Sequence, residues 1–181
     1  DALVICCTGR NVPRKGVDDL IEAMRLLPAD ANVHLVLVGD VIENEELQSL
    51  ANQSDLAGRI HFTGYRSDAP AIAAASDVFV LPSKGREGLP RAVIEAMAYG
   101  VAPVVTSVGG MPELVENEVS GLVVPPEDPE SLAKAIARLI SDRGLAQKLG
   151  TAARERIAND FHTSKTVGET AKLYIKLAGG N

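Results

Sequence analysis

Lys84, Arg86, Glu87 and Glu95 fall close together in the stretch Ser83-Lys84-Gly85-Arg86-Glu87-Gly88-Leu89-Pro90-Arg91-Ala92-Val93-Ile94-Glu95. The two cations attract an anion. The two carboxylates are not needed by a bare phosphate cradle, but they accept hydrogen bonds from hydroxyl groups. A second cationic group, Arg10, Arg14 and Lys15, lies in a loop bracketed by Gly9 and Gly16. Residue types of this kind suit a ligand that is part phosphate and part sugar.

The elements that must position these residues follow from the flanking sequence. Asp77 to Leu81 reads as a buried strand leading into the first stretch. A helix follows, with Pro90 suited to its first position and Gly100 to the position just past its end. The free N–H groups and positive dipole end of that helix favour an anion. Arg91 and Glu95, four apart, are also spaced for a surface ion pair worth ~0.3–0.5 kcal/mol. The Gly9–Gly16 loop likewise sits between a strand, residues 2–8, and a helix from Val17 to Leu27 with Asp18 and Asp19 in its first turn.

The rest of the chain alternates in the same way. Further strands are expected at Val33–Val38, Arg59–Thr63, Ala102–Thr106 and Ser120–Val124, and helices at Glu43–Gln53, Asp68–Ala75 and a single turn at Met111. Asp68 is placed to open its helix. Beyond Asp128 the periodicity is helical throughout, with apolar positions such as Leu132, Ile136 and Leu139 at helix spacing. Six strands alternating with helices call for an α/β fold, a doubly wound parallel six-stranded Rossmann-like sheet with extra C-terminal helices. The common order 3-2-1-4-5-6 makes strands one and four neighbours at the switch point. It therefore brings the two cationic loops into one crevice, with the loop carrying Tyr65 and Arg66 further along the same edge. Arg10, Arg14, Lys15, Arg66, Lys84 and Arg86 supply six of the 18 Lys and Arg of a chain whose net charge is −6.

That charge argues against a general nucleic-acid binder, which needs a basic surface. At 181 residues, 46% hydrophobic, the composition is that of a single globular domain. Adjacent Cys6 and Cys7 point to opposite faces of a strand and read as buried thiols, which fits a reducing, cytoplasmic location. No apolar run is long enough to span a bilayer. His34, His61 and His162 show no metal-ligand spacing, and Asn52-Gln53-Ser54 is read as a chance sequon. No signal peptide is read at the start, but a core-like strand directly behind Asp1 reads as a piece of a longer chain. The loop after strand one lacks the G-x-G-x-x-G fingerprint of a nicotinamide-dependent dehydrogenase.

The residues resemble the family-4 retaining glycosyltransferases of GT-B fold, over almost the whole chain, in their C-terminal, donor-binding domain. The resemblance is carried by Gly9-Arg10 … Arg14-Lys15-Gly16, Glu87-Gly88 … Glu95-Ala96-Met97, Val38-Gly39-Asp40, Leu81-Pro82-Ser83, Gly109-Gly110-Met111-Pro112-Glu113 and Gly121-Leu122-Val123-Val124 in order. It implies transfer of a hexose from a nucleotide-diphosphate sugar to an acceptor hydroxyl, glycan or lipid-linked, with no metal and no cofactor. Arg10 and Lys15 would neutralise the diphosphate, and Glu87 would accept from hydroxyls of the sugar. Gly88, Leu89 and Pro90 would shape the loop against that sugar, and Glu95 would hold the ribose. Gly9 would belong to the phosphate loop, and Gly39, Tyr65 and Arg66 would line the base pocket. Residues 1–160 would form the donor domain and 161–181 a crossover-type helix. The acceptor domain would lie N-terminal to this chain, with peripheral membrane association of the parent, and the isolated chain would bind donor without transfer. The spacer from Ser83 to Glu87 is one residue longer than in many members. A related GT-B sugar-nucleotide enzyme (an epimerase or a polysaccharide synthase or phosphorylase) and a non-catalytic binding domain remain open on the residues alone.

Overall fold

Six apolar runs become six parallel strands: β1 Leu3–Thr8, β2 Val33–Val38, β3 Ile60–Gly64, β4 Val78–Leu81, β5 Ala102–Thr106 and β6 Leu122–Val124. They lie in one sheet in the order β3-β2-β1-β4-β5-β6, as the doubly wound reading expects. The computed structural model describes residues 2–10, 12–28, 31–53, 55–56 and 58–179. Asp1, Asn11, Ser54 of the sequon, the Gly180-Asn181 tail and the side chain of Glu43 lie outside the described residues.

The helices are α1 Val17–Leu26, α2 Glu45–Ala51, α3 Ala69–Ala74, α4 Arg91–Ala98, α5 Met111–Leu114, α6 Pro129–Ser141, α7 Arg143–Asp160 and α8 Thr163–Ala178. The first seven divide between the two faces of the sheet. Leu20, Ile21, Leu47 and Ile136 bring α1, α2 and α6 onto one face with Leu35, Val80 and Val104. Ala73, Met97, Leu114 and Ala153 bring α3, α4, α5 and α7 onto the other with Phe79 and Val105. A parallel strand covered on both faces needs apolar residues at every position, and the unbroken burial of β4 and β5 shows it.

Adjacent residues of β1 make the alternation concrete. Cys7 belongs to the first cluster and Cys6 to the second. Both are free and buried, and burial pushes each thiol up to about 12, with the neighbouring thiol adding to the effect on Cys7. The folded thiols stay protonated where unfolded ones ionise. Their contribution to stability is therefore fully present below the unfolded value of about 9 and is lost as the pH rises towards about 12. Ellman's reagent at pH 8 is expected to label neither cysteine in the folded chain and both in guanidinium. Rapid labelling without denaturant would contradict the burial.

Several boundaries differ from the sequence reading, each for a local reason. The second helix does not begin at Glu43. A 3-10 turn takes Asp40–Glu43, and Asn44 then caps α2 by accepting from the Leu47 N–H at 3.1 Å. Asp68 precedes α3 without capping it, because both its oxygens are held by the Arg66 guanidinium at 2.8 and 2.7 Å. Pro90 is extended, at φ −71° and ψ 118°, and is the N-cap of α4 and not its first helical residue. Gly100, at φ +80°, follows the helix end as expected. His34 and His61 on the paired strands β2 and β3 meet at 3.0 Å, and Asn32 takes the other nitrogen of His34.

Strand pairing at the centre of the sheet is short. β1 matches β2 over six residue pairs but matches β4 only at Ile5↔Val78 and Cys6↔Phe79. Beyond those pairs the two strands part, and the loops that follow them rise on either side of the gap. At the other end of the chain α8 buries none of its residues, and Val167, Leu173, Tyr174, Ile175 and Leu177 are all more than half exposed. Among the described residues no helix is long and apolar enough to cross a membrane.

Candidate functional site

The gap between β1 and β4 opens into a depression of about 290 Å³ walled by Gly9, Arg10, Lys15, Arg86, Glu87 and Pro90, with Arg14 and Arg91 at its edge. Its floor is set by backbone. The Gly9 N–H donates to Val38 and the Gly39 N–H to Gly64, so the ends of β1, β2 and β3 are tied in sequence. Gly39 adopts φ +130°, and a Cβ there would strike the Gly9 carbonyl. The chain then makes a 3-10 turn at Pro13–Lys15 and enters α1 through Gly16. That turn carries Arg14 and Lys15 inward.

The facing wall is the loop 83–90, and it is held from three sides. Its Lys84 N–H donates to the Arg14 carbonyl at 2.8 Å. The Arg14 guanidinium returns a hydrogen bond to the Arg86 carbonyl at 3.0 Å. Lys15 Nζ donates to Glu87 Oε1 at 2.6 Å, joining residues 72 apart in sequence. The hydroxyl of Ser83, fully buried, donates to the same oxygen at 2.7 Å, and the Thr106 hydroxyl donates to the Ser83 carbonyl. The Glu87 side chain is 7% exposed and that of Lys15 13%, so the pair is mostly withdrawn from water. Behind the loop, Gly109 at φ +55° lies against the Glu87 carbonyl, where a Cβ would collide, and the Gly110 N–H donates to that carbonyl at 3.2 Å.

What stays open is as informative. Among the described residues nothing donates to Glu87 Oε2, and nothing accepts from the N–H groups of Gly88 and Leu89. Gly88 has no atom within 4 Å of where a Cβ would stand. Arg10 and Arg86 are exposed and make no ion pair among the described residues. One wall thus offers the uncommitted Arg10, the other the uncommitted Arg86, a fixed carboxylate oxygen and two amides. Anion and hydroxyl groups can both be held there, in neighbouring positions.

Of the residues singled out in the sequence, Gly9, Arg10, Lys15, Glu87 and Pro90 share the depression, with Gly88 and Leu89 on the same loop and Gly39 beneath Gly9. Glu95 is not among its walls; it accepts from Arg91 Nε at 2.6 Å, so the ion pair its spacing allowed is formed. Tyr65, 85% exposed, and Arg66, engaged with Asp68, also stand outside it. Lys84 corrects the expectation of added positive charge: it turns away to Asp18 and Asp19 at the start of α1. The supporting roles of Ser83, Thr106 and the Gly109-Gly110 pair do not follow from the sequence pattern. Their common signal was small residues at the C-terminal ends of adjacent strands.

The sequence profile described as Glycosyl transferases group 1 matches residues 1–156. The lipopolysaccharide core biosynthesis glycosyltransferase LpsE of Rhizobium meliloti is 35% identical over 161 residues, 89% of this chain and 46% of the relative. A GDP-mannose-dependent alpha-(1-6)-phosphatidylinositol monomannoside mannosyltransferase of Mycobacterium tuberculosis is 36% identical over 160 residues, covering 83% of this chain and 42% of the relative. Anabaena Alr3699/HepE, solved in complex with UDP and glucose, superposes with a TM-score of 0.89 at 29% identity, over 96% of this chain and 48% of that one. The chain spans somewhat under half the length of the relatives it matches.

Proposed function

This chain belongs to the glycosyl transferases group 1 family, and on that premise we propose that the depression between β1 and β4 is the donor site of a nucleotide-sugar-dependent hexosyltransferase. The observation that carries the reading is the Lys15–Glu87 pair at the switch point of the sheet. A cation for the diphosphate and a carboxylate for the sugar stand side by side, as two adjoining parts of one donor require. Without donor, the charge of Lys15 is balanced by the paired Glu87 carboxylate. When a diphosphate enters, Lys15 turns its charge to the phosphate oxygens together with exposed Arg10, and stabilises the leaving group as the glycosidic bond breaks. Glu87, kept in place by Ser83, retains Oε2 for a sugar hydroxyl, and the Gly88 and Leu89 amides face the same sugar.

In this reading the two cations do the charge work that a metal does elsewhere, so transfer is metal-independent. The sugar keeps its anomeric configuration by attack from the face the leaving group departs. Glu95 exchanges Arg91 for the ribose hydroxyls, and the loop of Tyr65 and Arg66, beyond Gly39, closes on the base. The acceptor hydroxyl, glycan or lipid-linked as the relatives' names indicate, is brought by residues outside this chain.

Thermal unfolding against UDP-glucose, GDP-mannose and ADP-glucose tests the reading. A nucleotide sugar at 100 times its dissociation constant stabilises by ~2.7 kcal/mol, which for a chain of this size is roughly 5–10 °C. One base is expected to give that shift. Gly88→Ala, which meets no atom in the free chain, is expected to leave the unliganded melting temperature unchanged and to abolish the shift. Glu95→Gln is expected to reduce it. No shift with any of the three at millimolar concentration would refute donor binding by this chain.

A further inference from the structure

Lys84, three residues beyond the end of β4, reaches outside the loop that carries it. Its Nζ donates to Asp18 Oδ2 at 2.7 Å and lies 3.1 Å from Asp19 Oδ1, both in the first turn of α1. The side chains of Lys84 and Asp19 are largely covered, at 23% and 15% exposure. Burial pulls the ammonium down, but the hydrogen bonds it donates to the two carboxylates outweigh it and leave Lys84 above its ordinary value. Burial raises Asp19, against the pull of Lys84, and the charges of Asp18 and Glu127 add to the rise. One Asp19 oxygen is buried with no hydrogen-bond partner among the described residues. Lys84 is thus the counter-ion that a crowded acidic turn depends on.

The consequence lies in the loop. Lys84 pins its beginning to α1, and Gly109-Gly110 brace it at Glu87 and Gly88. Gly85 and Arg86 stand between the two supports, with the Arg86 carbonyl accepting from Arg14 at 3.0 Å. Gly85 has no atom within 4 Å of a Cβ position, and Arg86 is driven into the left-handed region at φ +55°. A non-glycine residue holds that conformation only where its surroundings impose it. The opposite wall does not depend on Lys84's side chain. Arg14 and Lys15 are placed by their own 3-10 turn and Arg10 follows the Gly9–Val38 tie at the end of β1, and the Lys84–Arg14 link is made by the backbone amide.

We propose that Lys84, clamped by Asp18 and Asp19, is a positioning residue for sugar discrimination: it fixes the pose of Arg86 and Glu87, and so selects among hexoses while leaving nucleotide-diphosphate affinity alone. This rests on the donor-site reading above. Hexose epimers differ by the direction of one hydroxyl, and a hydrogen-bonding site discriminates only as well as its acceptor is held.

The test uses this chain with Lys84→Met, Lys84→Arg and Asp19→Asn. Calorimetry gives dissociation constants for UDP, GDP, UDP-glucose, UDP-galactose and GDP-mannose, and hydrogen exchange follows the amides of residues 85–89. Lys84→Met is expected to hold the affinity for the bare nucleotide within about twofold and to reduce the preference between hexoses by about tenfold. Exchange at residues 85–89 should accelerate. Lys84→Arg is expected to restore most of the preference, and Asp19→Asn to lose part of it. Equal losses for nucleotide and nucleotide sugar, or an unchanged hexose preference, overturn the proposal. If the unaltered chain binds no nucleotide, the donor-site reading fails and the selectivity claim with it, and the exchange data still decide the clamp: unchanged rates in Lys84→Met refute it.

Discussion

Lys15→Met is expected to remove nucleotide-sugar binding and to lower the stability of the free chain by about 3 kcal/mol, the low end for a buried carboxylate stripped of its partner. The low end applies because the Ser83 hydroxyl still donates to Glu87 Oε1 and Arg14 Nη1 lies 3.6 Å from the same oxygen. In a chain of this size the loss corresponds to a fall of roughly 6–12 °C in melting temperature. Both effects spring from one contact but separate in a double variant. Adding Glu87→Gln removes the unpaired charge at nearly constant shape, so stability should return towards that of the parent while binding stays lost. Such non-additivity is expected of residues in direct contact. A Lys15→Met chain that melts with the parent would refute the buried pair, and one that still binds donor would refute the role of Lys15.

Gly109→Ala is expected to unsettle the same wall from behind. An alanine at φ +55° costs about 1–2 kcal/mol by itself, and its Cβ would occupy the space of the Glu87 carbonyl. The loop must move away, taking with it the Gly110 hydrogen bond and the alignment of Glu87 with Lys15. The melting temperature should fall by roughly 6 °C or more, with donor binding lost. Gly85→Ala is the control: it has free space and an ordinary backbone, and should melt like the parent. Equal behaviour of the two variants would mean that the brace is not there.

The framework of the site was legible because it follows from patterns repeated along the chain. Unbroken apolar runs such as Val33–Val38 announce strands covered on both faces, and six of them, alternating with helices, leave few arrangements. The adjacent thiols Cys6 and Cys7 fell on opposite faces for the same reason. Which charges would pair was not legible. Lys15 and Lys84 are both loop lysines beside glycine, yet one holds Glu87 and the other is claimed by Asp18 and Asp19. Those two aspartates read as ordinary first-turn acids that suit the helix dipole. Their second use depends on how α1 abuts a loop some 66 residues away. The Asn44 cap was not legible either, because a 3-10 turn ahead of it delays the start of α2 by two residues. Arg66 and Glu95 were singled out by motif, and in the free chain each answers first to the charge nearest on its own segment.

The brace of Gly109-Gly110 against Glu87-Gly88 also sets an order on the making of the protein. Lys15 must wait for Glu87, 72 residues on, and the loop bearing Glu87 has no backing until residue 110 has been made. A ribosome adds ~5–20 residues per second, so the first cationic loop stands for several seconds with neither its counter-ion nor its opposite wall. During that interval the growing chain has β1, β2 and β3 to pair, but no donor can be captured and protect it. Ligand rescue of a weakened variant can therefore act only once synthesis has passed β5 and the turn beyond it.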